Sequence, residues 1–600
     1  MRLSYTIPTI AALCGQAALG DFVTPTYPTP ADLSSNHSLV HAGWKNLTST
    51  LDRYFEGKLN SSLAAAFAGV ENVTFSAGLF SLKDPDALQL QYHHTAAEVK
   101  ASKAGVQKVD GDSIYRTASV SKLITVLAAL RELSDDDWHR PLSKINPNFK
   151  RQMQNSTAVD IIETIQWDKI TPWALATQLS GLPTLSFLGE RYNASLASEY
   201  GGALVTNQTS LGACVVQFFA NPLEPSCSPA EIISSVNVNP PNFLPWATPV
   251  YSDLNFMLLG LVISSITNKT MTEVYNSAVF RPLNMTSSSD KSENKTLSRA
   301  VVIGTPASYA QLDFFPFTAP SGGILSTVGD LQKLGLGILN STLLPKEATA
   351  KWLKPVSLTA SLSYAIGAPW EIHRFVHPAS GKVTDIYTKL GDSGSYGGAL
   401  AVIPQYDAGF TLLNAAAGPE RSKVVLGILD AITSTVLPAL EAQALAEAKC
   451  NLVGEYKSSG SGGVEAMIKI GYNASTTGTD VHSDLVVTEW VYNGTDVLTS
   501  KLFGGAPLRL EQSIVRPGKD GKPRQIAFIL SSYNQTPTYT AAKMGSWTGL
   551  YYSDGDFTFT DGVRWGGQDP RRLVFDLDAH GAAVKCTPSY QKIALTKSKK

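Results

Sequence analysis

Ser119 and Lys122 are three residues apart in the stretch ASVSKLIT at 118–125, where a helical pattern begins. At that spacing both side chains can point along one face of a helix. A serine hydroxyl needs a neighbouring base to act as a nucleophile, and a desolvated lysine can serve because its pKa falls. The positive end of the helix would also favour a developing oxyanion. This pair therefore indicates nucleophilic chemistry at Ser119.

A second serine motif lies at 389–398, where KLGDSGSYGG contains the Gly-Asp-Ser-Gly that surrounds the nucleophile of trypsin-like proteases. That chemistry needs a histidine base oriented by an aspartate. The chain offers only HHTAAE at 93–98, which lacks the residue order of the trypsin-like histidine motif. We interpret Ser393 as a turn residue.

Two further motifs follow Ser119 in a fixed order: Tyr-Ser-Asp begins at Tyr251 and Lys-Leu-Gly begins at Lys389. The series resembles the serine β-lactamase and penicillin-binding-protein superfamily, whose pattern is S-x-x-K, then Y-x-N, then K-T-G or H-x-G. It looks closest to the branch with class C β-lactamases, and it is similar to secreted β-lactamase-like proteins of filamentous fungi. The resemblance spans roughly residues 60–445.

The resemblance implies a role for each matching residue. Ser119 would be the acylated nucleophile, and Lys122 would help to deprotonate it. Tyr251 would relay a proton to the leaving group and activate water. Lys389 would lower the pKa of Tyr251 and attract a substrate carboxylate, because a phenol needs nearby cations to ionise near neutral pH. Backbone N–H groups of Ser119 and Asp392 would form the oxyanion hole.

Two positions depart from the family pattern, and both lie among the expected substrate-binding residues Asp253, Leu390, Gly391 and Asp392. Asp253 replaces an asparagine, so an amide donor is lost and the carboxylate would favour charged Lys122, a weaker base. Leu390 replaces a threonine hydroxyl with an apolar side chain. Both changes fit a hydrophobic ester, amide or lactone better than an efficient β-lactamase.

The expected function is therefore a serine hydrolase that cleaves an ester, amide, lactam or lactone bond through an acyl-enzyme, without a metal or cofactor. Two alternatives stay open. The same acyl-enzyme could be captured by an alcohol or amine, which would make the protein an acyltransferase that tailors a secondary metabolite. The fold could also serve as a catalytically inactive binding protein. The expected partner is a small-molecule ester, amide or peptide, and the oligomeric state stays open.

The elements that must position these residues can be read from the periodicity of apolar residues. Val120 to Leu133 has helical spacing, and LNFMLLGLVISSIT predicts another helix. Three apolar runs in 383–415, separated by turns, predict an antiparallel sheet. A helix follows, and we expect Pro438 to interrupt it.

The predicted fold class is mixed α/β, with an antiparallel sheet flanked by helices, a helical subdomain and a C-terminal all-β domain. Residues 1–20 would be a signal peptide, 21–450 the hydrolase domain and 451–600 the β domain. KSSGSGG at 457–463 suggests a linker, and Asn493-Gly494 predicts a hairpin turn.

Export is indicated by Arg2, a short apolar segment and the Ala-Leu-Gly at 18–20, which is typical of a cleaved secretory signal. Many N-x-S/T sequences agree with a glycosylated extracellular protein. The candidate acceptors are Asn36, Asn46, Asn60, Asn72, Asn155, Asn193, Asn207, Asn268, Asn284, Asn294, Asn340, Asn473, Asn493 and Asn534.

Four cysteines remain after the signal, and in an oxidising compartment we expect disulfides rather than a metal site. Sequence proximity favours Cys214–Cys227 and Cys450–Cys586, although three pairings are possible. A net charge of −1 gives no basic footprint for nucleic acid. The apolar run near 255–266 is too short to span a membrane.

Overall fold

The computed structural model describes residues 27–149, 160–183, 228–237, 240–293, 296–306, 309, 318–380, 382–418, 420–458, 463–477, 480–500, 503, 505, 508–519, 522–532 and 564–598. These residues form two compact units. One comprises Asp32–Phe375 and Thr384–Leu440, and it is called the larger unit below. The other includes Val376–Val383 and Glu441–Lys600, and it is called the C-terminal unit.

The described α-helices are α1 (Leu39–Phe55), α2 (Ser61–Ala66), α3 (Ala97–Lys100), α4 (Ser121–Glu132), α5 (Asp135–His139), α6 (Leu142–Ile145), α7 (Pro172–Ala176), α8 (Pro229–Val236), α9 (Asp253–Thr267), α10 (Met271–Tyr275), α11 (Val328–Leu339), α12 (Lys346–Trp352) and α13 (Arg421–Leu452). The described strands are β1 (Thr74–Ser81), β2 (Gln91–His94), β3 (Tyr115–Arg116), β4 (Leu325–Ser326), β5 (Ser357–Leu358), β6 (Tyr364–Ile366), β7 (Glu371–Val376), β8 (Val383–Ser393), β9 (Tyr396–Ile403), β10 (Ala408–Ala415), β11 (Gly454–Lys457), β12 (Ala466–Thr477), β13 (Asp480–Tyr492), β14 (Thr495–Asp496), β15 (Leu508–Pro517), β16 (Pro523–Ser532), β17 (Arg572–Leu577), β18 (Ala583–Pro588) and β19 (Leu595–Lys597).

An eight-stranded sheet in the order β2-β1-β10-β9-β8-β7-β6-β5 forms the centre of the larger unit. Every residue of β1, β9 and β10 is buried, which shows that the middle of the sheet is covered on both faces. The predicted helices at 120–133 and after Asp253, and the three antiparallel strands in 383–415, are confirmed. The mixed fold class is confirmed with them.

Helices cover the two faces of this sheet. Gln332 on α11 donates a hydrogen bond to the carbonyl of Leu79 on β1 over 2.6 Å. Apolar residues of α1 and α13 pack with Phe75 of β1 around a small gap lined by Trp44, Leu47 and Ile428. The sheet is therefore a rigid platform for the strand that carries Lys389.

Helix α13 is continuous through Pro438, so the expected interruption is wrong. Proline removes one backbone hydrogen bond, and burial of Leu437 and Leu440 beside it compensates for that loss. Within the described residues, α13 is the one helix long and apolar enough to cross a membrane, by length and composition. Part of its apolar face packs against α1 in the core.

Strands β11 to β19 form a nine-stranded sheet, and the pairing of β12 with β13 closes it into a barrel. The C-terminal all-β prediction is thus confirmed. The turn at Asn493-Gly494 joins β13 to β14, as expected. The expected linker at 457–463 falls between β11 and β12, which pair with each other in one sheet, and its residues 459–462 lie outside the described residues.

Candidate active site

Ser119 lies on a tight turn, Ala118–Val120, that leads into α4. The turn is held by Thr117, whose backbone N–H and hydroxyl both donate to the carbonyl of Ile324. Ala118 has a φ of 48°, a left-handed conformation that an L-residue adopts at a cost of about 1–3 kcal/mol. Strain of this kind persists where the surroundings over-determine the backbone, and here it fixes the position of Ser119.

The hydroxyl of Ser119 receives two hydrogen bonds. Lys122 Nζ, one helical turn further along α4, donates to Ser119 Oγ over 2.8 Å. The Tyr251 hydroxyl donates to the same oxygen over 2.6 Å. The structure therefore brings the neighbouring residues Ser119 and Lys122 together with Tyr251, which lies 132 residues away from Ser119 in the sequence.

Lys122 is fully buried, and its Nζ also donates to Asp253 Oδ1 over 2.5 Å and to the carbonyl of Ser321 over 2.8 Å. Burial lowers the pKa of Lys122 to about 8, although the negative charge of Asp253 opposes the change. Asp253 favours the charged form of Lys122, as expected, but the loss of hydration outweighs the ion pair and the net shift is downward. Lys122 is neutral in part near neutral pH.

Tyr251 lies two residues before α9, and Lys122 and Lys389 flank its ring, with Nζ atoms 5.0 and 5.2 Å from the ring centroid. The pKa of Tyr251 is raised far above its ordinary value, first by burial and then by the negative charge of Asp253. The expected lowering of this pKa by the two lysines is therefore wrong for the free protein. The phenol stays protonated and donates to Ser119.

Lys389, on β8, is buried and forms an ion pair with Glu371 on the neighbouring strand β7. Its Nζ also donates to the carbonyl of Leu390 over 2.8 Å. The other Glu371 oxygen accepts from the Leu390 N–H over 2.8 Å. The sequence predicts that Lys389 attracts a substrate carboxylate. In the structure the positive charge of this lysine is already paired with the carboxylate of Glu371.

The residues after Lys389 pass directly beside the nucleophile. A Cβ on Gly391 would lie 2.3 Å from the carbonyl oxygen of Thr117 and 3.0 Å from the Ser119 nitrogen, so only glycine fits. Leu390 is partly buried, and Asp392 pairs with Arg421 on α13. The edge of β8 and the Ser119 amide are thus adjacent, as an oxyanion hole requires.

The alternative serines are placed elsewhere. Ser121 donates to the carbonyl of Ala118 over 2.7 Å and accepts from the N–H of Ile324 over 3.0 Å, so its hydroxyl is committed to the backbone. Ser393 is exposed at the end of β8, next to a turn at Gly394. Neither competes with Ser119.

The predicted Cys450–Cys586 disulfide is wrong, because both cysteines are free. Cys586 lies in the buried interior of the barrel, whereas Cys450 is exposed near the end of α13. A bridge would require their Cβ atoms to approach to about 4 Å. Cys214 and Cys227 lie outside the described residues. The described residues contain no cluster of His, Cys, Asp or Glu side chains suited to a metal ion.

The described glycosylation candidates are exposed. They are Asn36, Asn46, Asn60, Asn72, Asn268, Asn284, Asn340 and Asn493. Asn155, Asn193, Asn207, Asn294 and Asn534 lie outside the described residues, as does the side chain of Asn473.

Sequence reasoning did not identify three polar residues that complete the site. Glu371 pairs with Lys389, and Ser321 donates its hydroxyl to Asp253 Oδ1 over 2.6 Å. Arg421 binds Asp392 and donates to Asn414 Oδ1 over 2.7 Å. None belongs to a local motif, although charged residues inside apolar segments, such as Glu371 in APWEIHRF, could have been singled out.

Comparison with known proteins identifies the family of the chain. The Beta-lactamase family model matches residues 63–434, and the chain belongs to that family. A second model, described as "Beta-lactamase-like-like, C-terminal domain", matches residues 444–599.

A Beta-lactamase-like protein of Arthroderma benhamiae is 32% identical over 445 residues, which cover 72% of this chain and 69% of the relative. Relatives from Cochliobolus lunatus and Phoma sp., each named as a probable hydrolase, are 24% identical. They cover 96% and 94% of this chain and 91% and 88% of their own lengths. The family and these relatives support a serine hydrolase-type activity.

Among solved structures, D-amino acid amidase from Ochrobactrum anthropi, complexed with L-phenylalanine amide, aligns with a TM-score of 0.44 and 16% identity. The alignment covers 66% of this chain and 99% of that one. Class C beta lactamase from Rhodobacter sphaeroides gives 0.42 and 17%, over 62% and 99%. These likenesses concern the fold alone.

Proposed function

We propose that the protein is a secreted serine hydrolase that cleaves an ester, amide, lactam or lactone bond through an acyl-enzyme on Ser119. The observation that carries the proposal is the convergence of Lys122 Nζ and the Tyr251 hydroxyl on Ser119 Oγ, at 2.8 and 2.6 Å. A buried lysine of lowered pKa beside a serine that follows the strained Ala118 is an arrangement suited to making a nucleophile.

In the first step, neutral Lys122 accepts the proton of Ser119 as Oγ attacks the substrate carbonyl carbon. The oxyanion would be stabilised by the N–H groups of Ser119 and Asp392. Collapse breaks the bond to the leaving group, which takes the Tyr251 proton, and Lys122 returns a proton to Tyr251. In the second step water replaces the leaving group, and the same groups act in reverse to release the acid and regenerate Ser119.

The proposed substrate is a hydrophobic ester, amide or lactone. Asp253 offers an acceptor where the family has an amide, and it is occupied by Lys122 and Ser321. Leu390 presents an apolar side chain where a hydroxyl would bind a carboxylate. Both features support a substrate recognised by apolar contact rather than by charge.

Secretion and glycosylation are part of the proposal. They rest on the N-terminal signal-like sequence and on the exposure of the eight described acceptor asparagines. Both are tested by expression in a glycosylating host, recovery of the protein from the medium, removal of N-linked glycans with a peptide N-glycosidase, and measurement of the mass. A secreted protein whose mass does not fall on this treatment would contradict the glycosylation.

The function is tested with a fluorophosphonate and, separately, a penicillin probe, followed by peptide mass analysis. We expect wild type to carry a fluorophosphonate adduct on Ser119, and Ser119→Ala to carry none. Ser393→Ala is the matched control, because this serine is exposed in a turn, and it should label like wild type. An absence of adduct in folded wild type would refute the proposal and favour a binding protein.

Adding an alcohol or amine acceptor tests acyl transfer, which would yield a new ester or amide.

A further inference from the structure

Glu371 closes a compact polar ring around the cation of Lys389. One carboxylate oxygen pairs with Lys389 Nζ, and the other accepts the Leu390 N–H over 2.8 Å. Lys389 Nζ in turn donates to the Leu390 carbonyl over 2.8 Å. The hydroxyl of Thr388 donates to the backbone carbonyl of Glu371 over 2.6 Å, which ties the two strands together. Glu371 is thus built into the strand edge beside the nucleophile.

This ring occupies the donors of Lys389. Two of the three ammonium protons are taken by Glu371 and Leu390, and the Tyr251 ring lies 5.2 Å from the nitrogen. Lys389 is 1% exposed. An incoming carboxylate would therefore meet a buried cation whose charge is already paired with Glu371, and it would have to compete with that charge-assisted hydrogen bond.

The charge balance near Ser119 adds to this barrier. With Lys122 neutral, as nucleophile activation requires, Asp253 and Glu371 carry negative charge and Lys389 carries positive charge. Arg421 and Asp392 cancel each other in their own ion pair. The reactive site is then negative by one charge, and it repels an anionic substrate.

We propose that Glu371 is a specificity-determining residue that excludes substrates whose acyl chain bears a carboxylate and directs the site to neutral acyl compounds. The inference rests on the proposed function, since it concerns which substrates reach Ser119. Removing the Glu371 charge would free the Lys389 ammonium, which would then attract the anion that wild type rejects.

Two esters with acyl chains of equal length provide the test. p-Nitrophenyl hexanoate is neutral, whereas mono-p-nitrophenyl adipate carries a terminal carboxylate. We expect wild type to favour the hexanoate in kcat/KM by more than about tenfold, which corresponds to about 1.4 kcal/mol, because the adipate carboxylate meets the negative charge of Glu371 and Asp253. Glu371→Gln keeps an acceptor for the Leu390 N–H, and we expect it to move the ratio toward the adipate by about tenfold or more, chiefly through KM.

Asp385→Asn is the matched control. Asp385 on β8 pairs with Arg374 on β7 over 3.1 Å, so this change removes one carboxylate from the same two strands away from Lys389. It should leave the ratio at the wild-type value. A general loss of stability or activity would lower both esters together and would not move the ratio.

The outcomes separate this inference from the proposed function. Wild type that hydrolyses both esters equally well would overturn the role of Glu371, whether or not the variant folds. An unchanged ratio in folded Glu371→Gln would do the same, while a Ser119 adduct with fluorophosphonate would leave the proposed function intact. Failure to hydrolyse either ester, together with no adduct, would overturn both.

Discussion

Replacing Asp253 with asparagine should shift the pH at which Ser119 becomes reactive. Asp253 Oδ1 lies 2.5 Å from Lys122 Nζ and raises the pKa of the lysine against the lowering caused by burial. Asparagine keeps the acceptor and removes the charge. An opposite charge at such range shifts a pKa by about 1–3 units, and the 29% exposure of Asp253 weakens the effect to about 1–2 units.

The direction of the shift in the pH profile follows from the form of Lys122 that acts as the base, which is the neutral amine. With a pKa of about 8, roughly one lysine in a hundred is neutral at about pH 6. A pKa lower by one unit makes that fraction about one in ten, so reactivity at acid pH rises up to about tenfold. The alkaline plateau should fall, because an amine of lower pKa is a weaker base.

The assay is the second-order rate of fluorophosphonate labelling between about pH 5 and about pH 10, which brackets this titration and needs no identified substrate. Asp407→Asn is the matched control, because Asp407 also pairs with a lysine, Lys83, and asparagine tolerates its left-handed φ of 48°. The reasoning would be refuted by a midpoint in Asp253→Asn that stays in place or moves to higher pH.

Three further predictions concern other parts of the protein. Tyr251→Phe should lower kcat for an alkyl ester or an amide by about 10²–10⁴, because a poor leaving group loses its proton donor. Labelling by fluorophosphonate should fall far less, since fluoride needs no proton, and equal losses in the two assays would contradict this role. Gly391→Ala should slow fluorophosphonate labelling of Ser119 by about tenfold or more, because the new Cβ would lie 2.3 Å from the Thr117 carbonyl oxygen and displace β8. An unchanged labelling rate would show that this part of β8 does not belong to the site. In the absence of a reductant, maleimide should modify Cys450 in the folded protein and Cys586 only after unfolding. If both cysteines react only after reduction, the two form a disulfide and this prediction is wrong.

Local patterns were sufficient to predict the residues that meet at Ser119. An i, i+3 spacing fixes Ser119 and Lys122 on one helical turn whatever the rest of the fold does. Three apolar runs with short turns fix β8, β9 and β10 as antiparallel neighbours, which places Lys389 at the end of a central strand. The assignment of catalytic roles to these residues stays a prediction.

The partner of Lys389 could not be predicted from a local sequence pattern. Glu371 meets it because β7 pairs with β8, and strand order depends on the whole sheet rather than on a local pattern. The raised pKa of Tyr251 was not predicted for a related reason. The sequence places two lysines among the site residues, but burial has the largest effect on the pKa of this phenol, and burial is a property of the folded core.

The left-handed φ of Ala118 also limits how this chain can vary. The side chain of Ala118 does no chemistry, yet glycine and asparagine are the residues that accept its backbone conformation most readily. A β-branched residue there would have to leave that conformation and carry the Ser119 amide with it. Among random variants selected for fluorophosphonate labelling, we therefore expect position 118 to accept nearly as few residue types as position 119, because its backbone conformation excludes most of them.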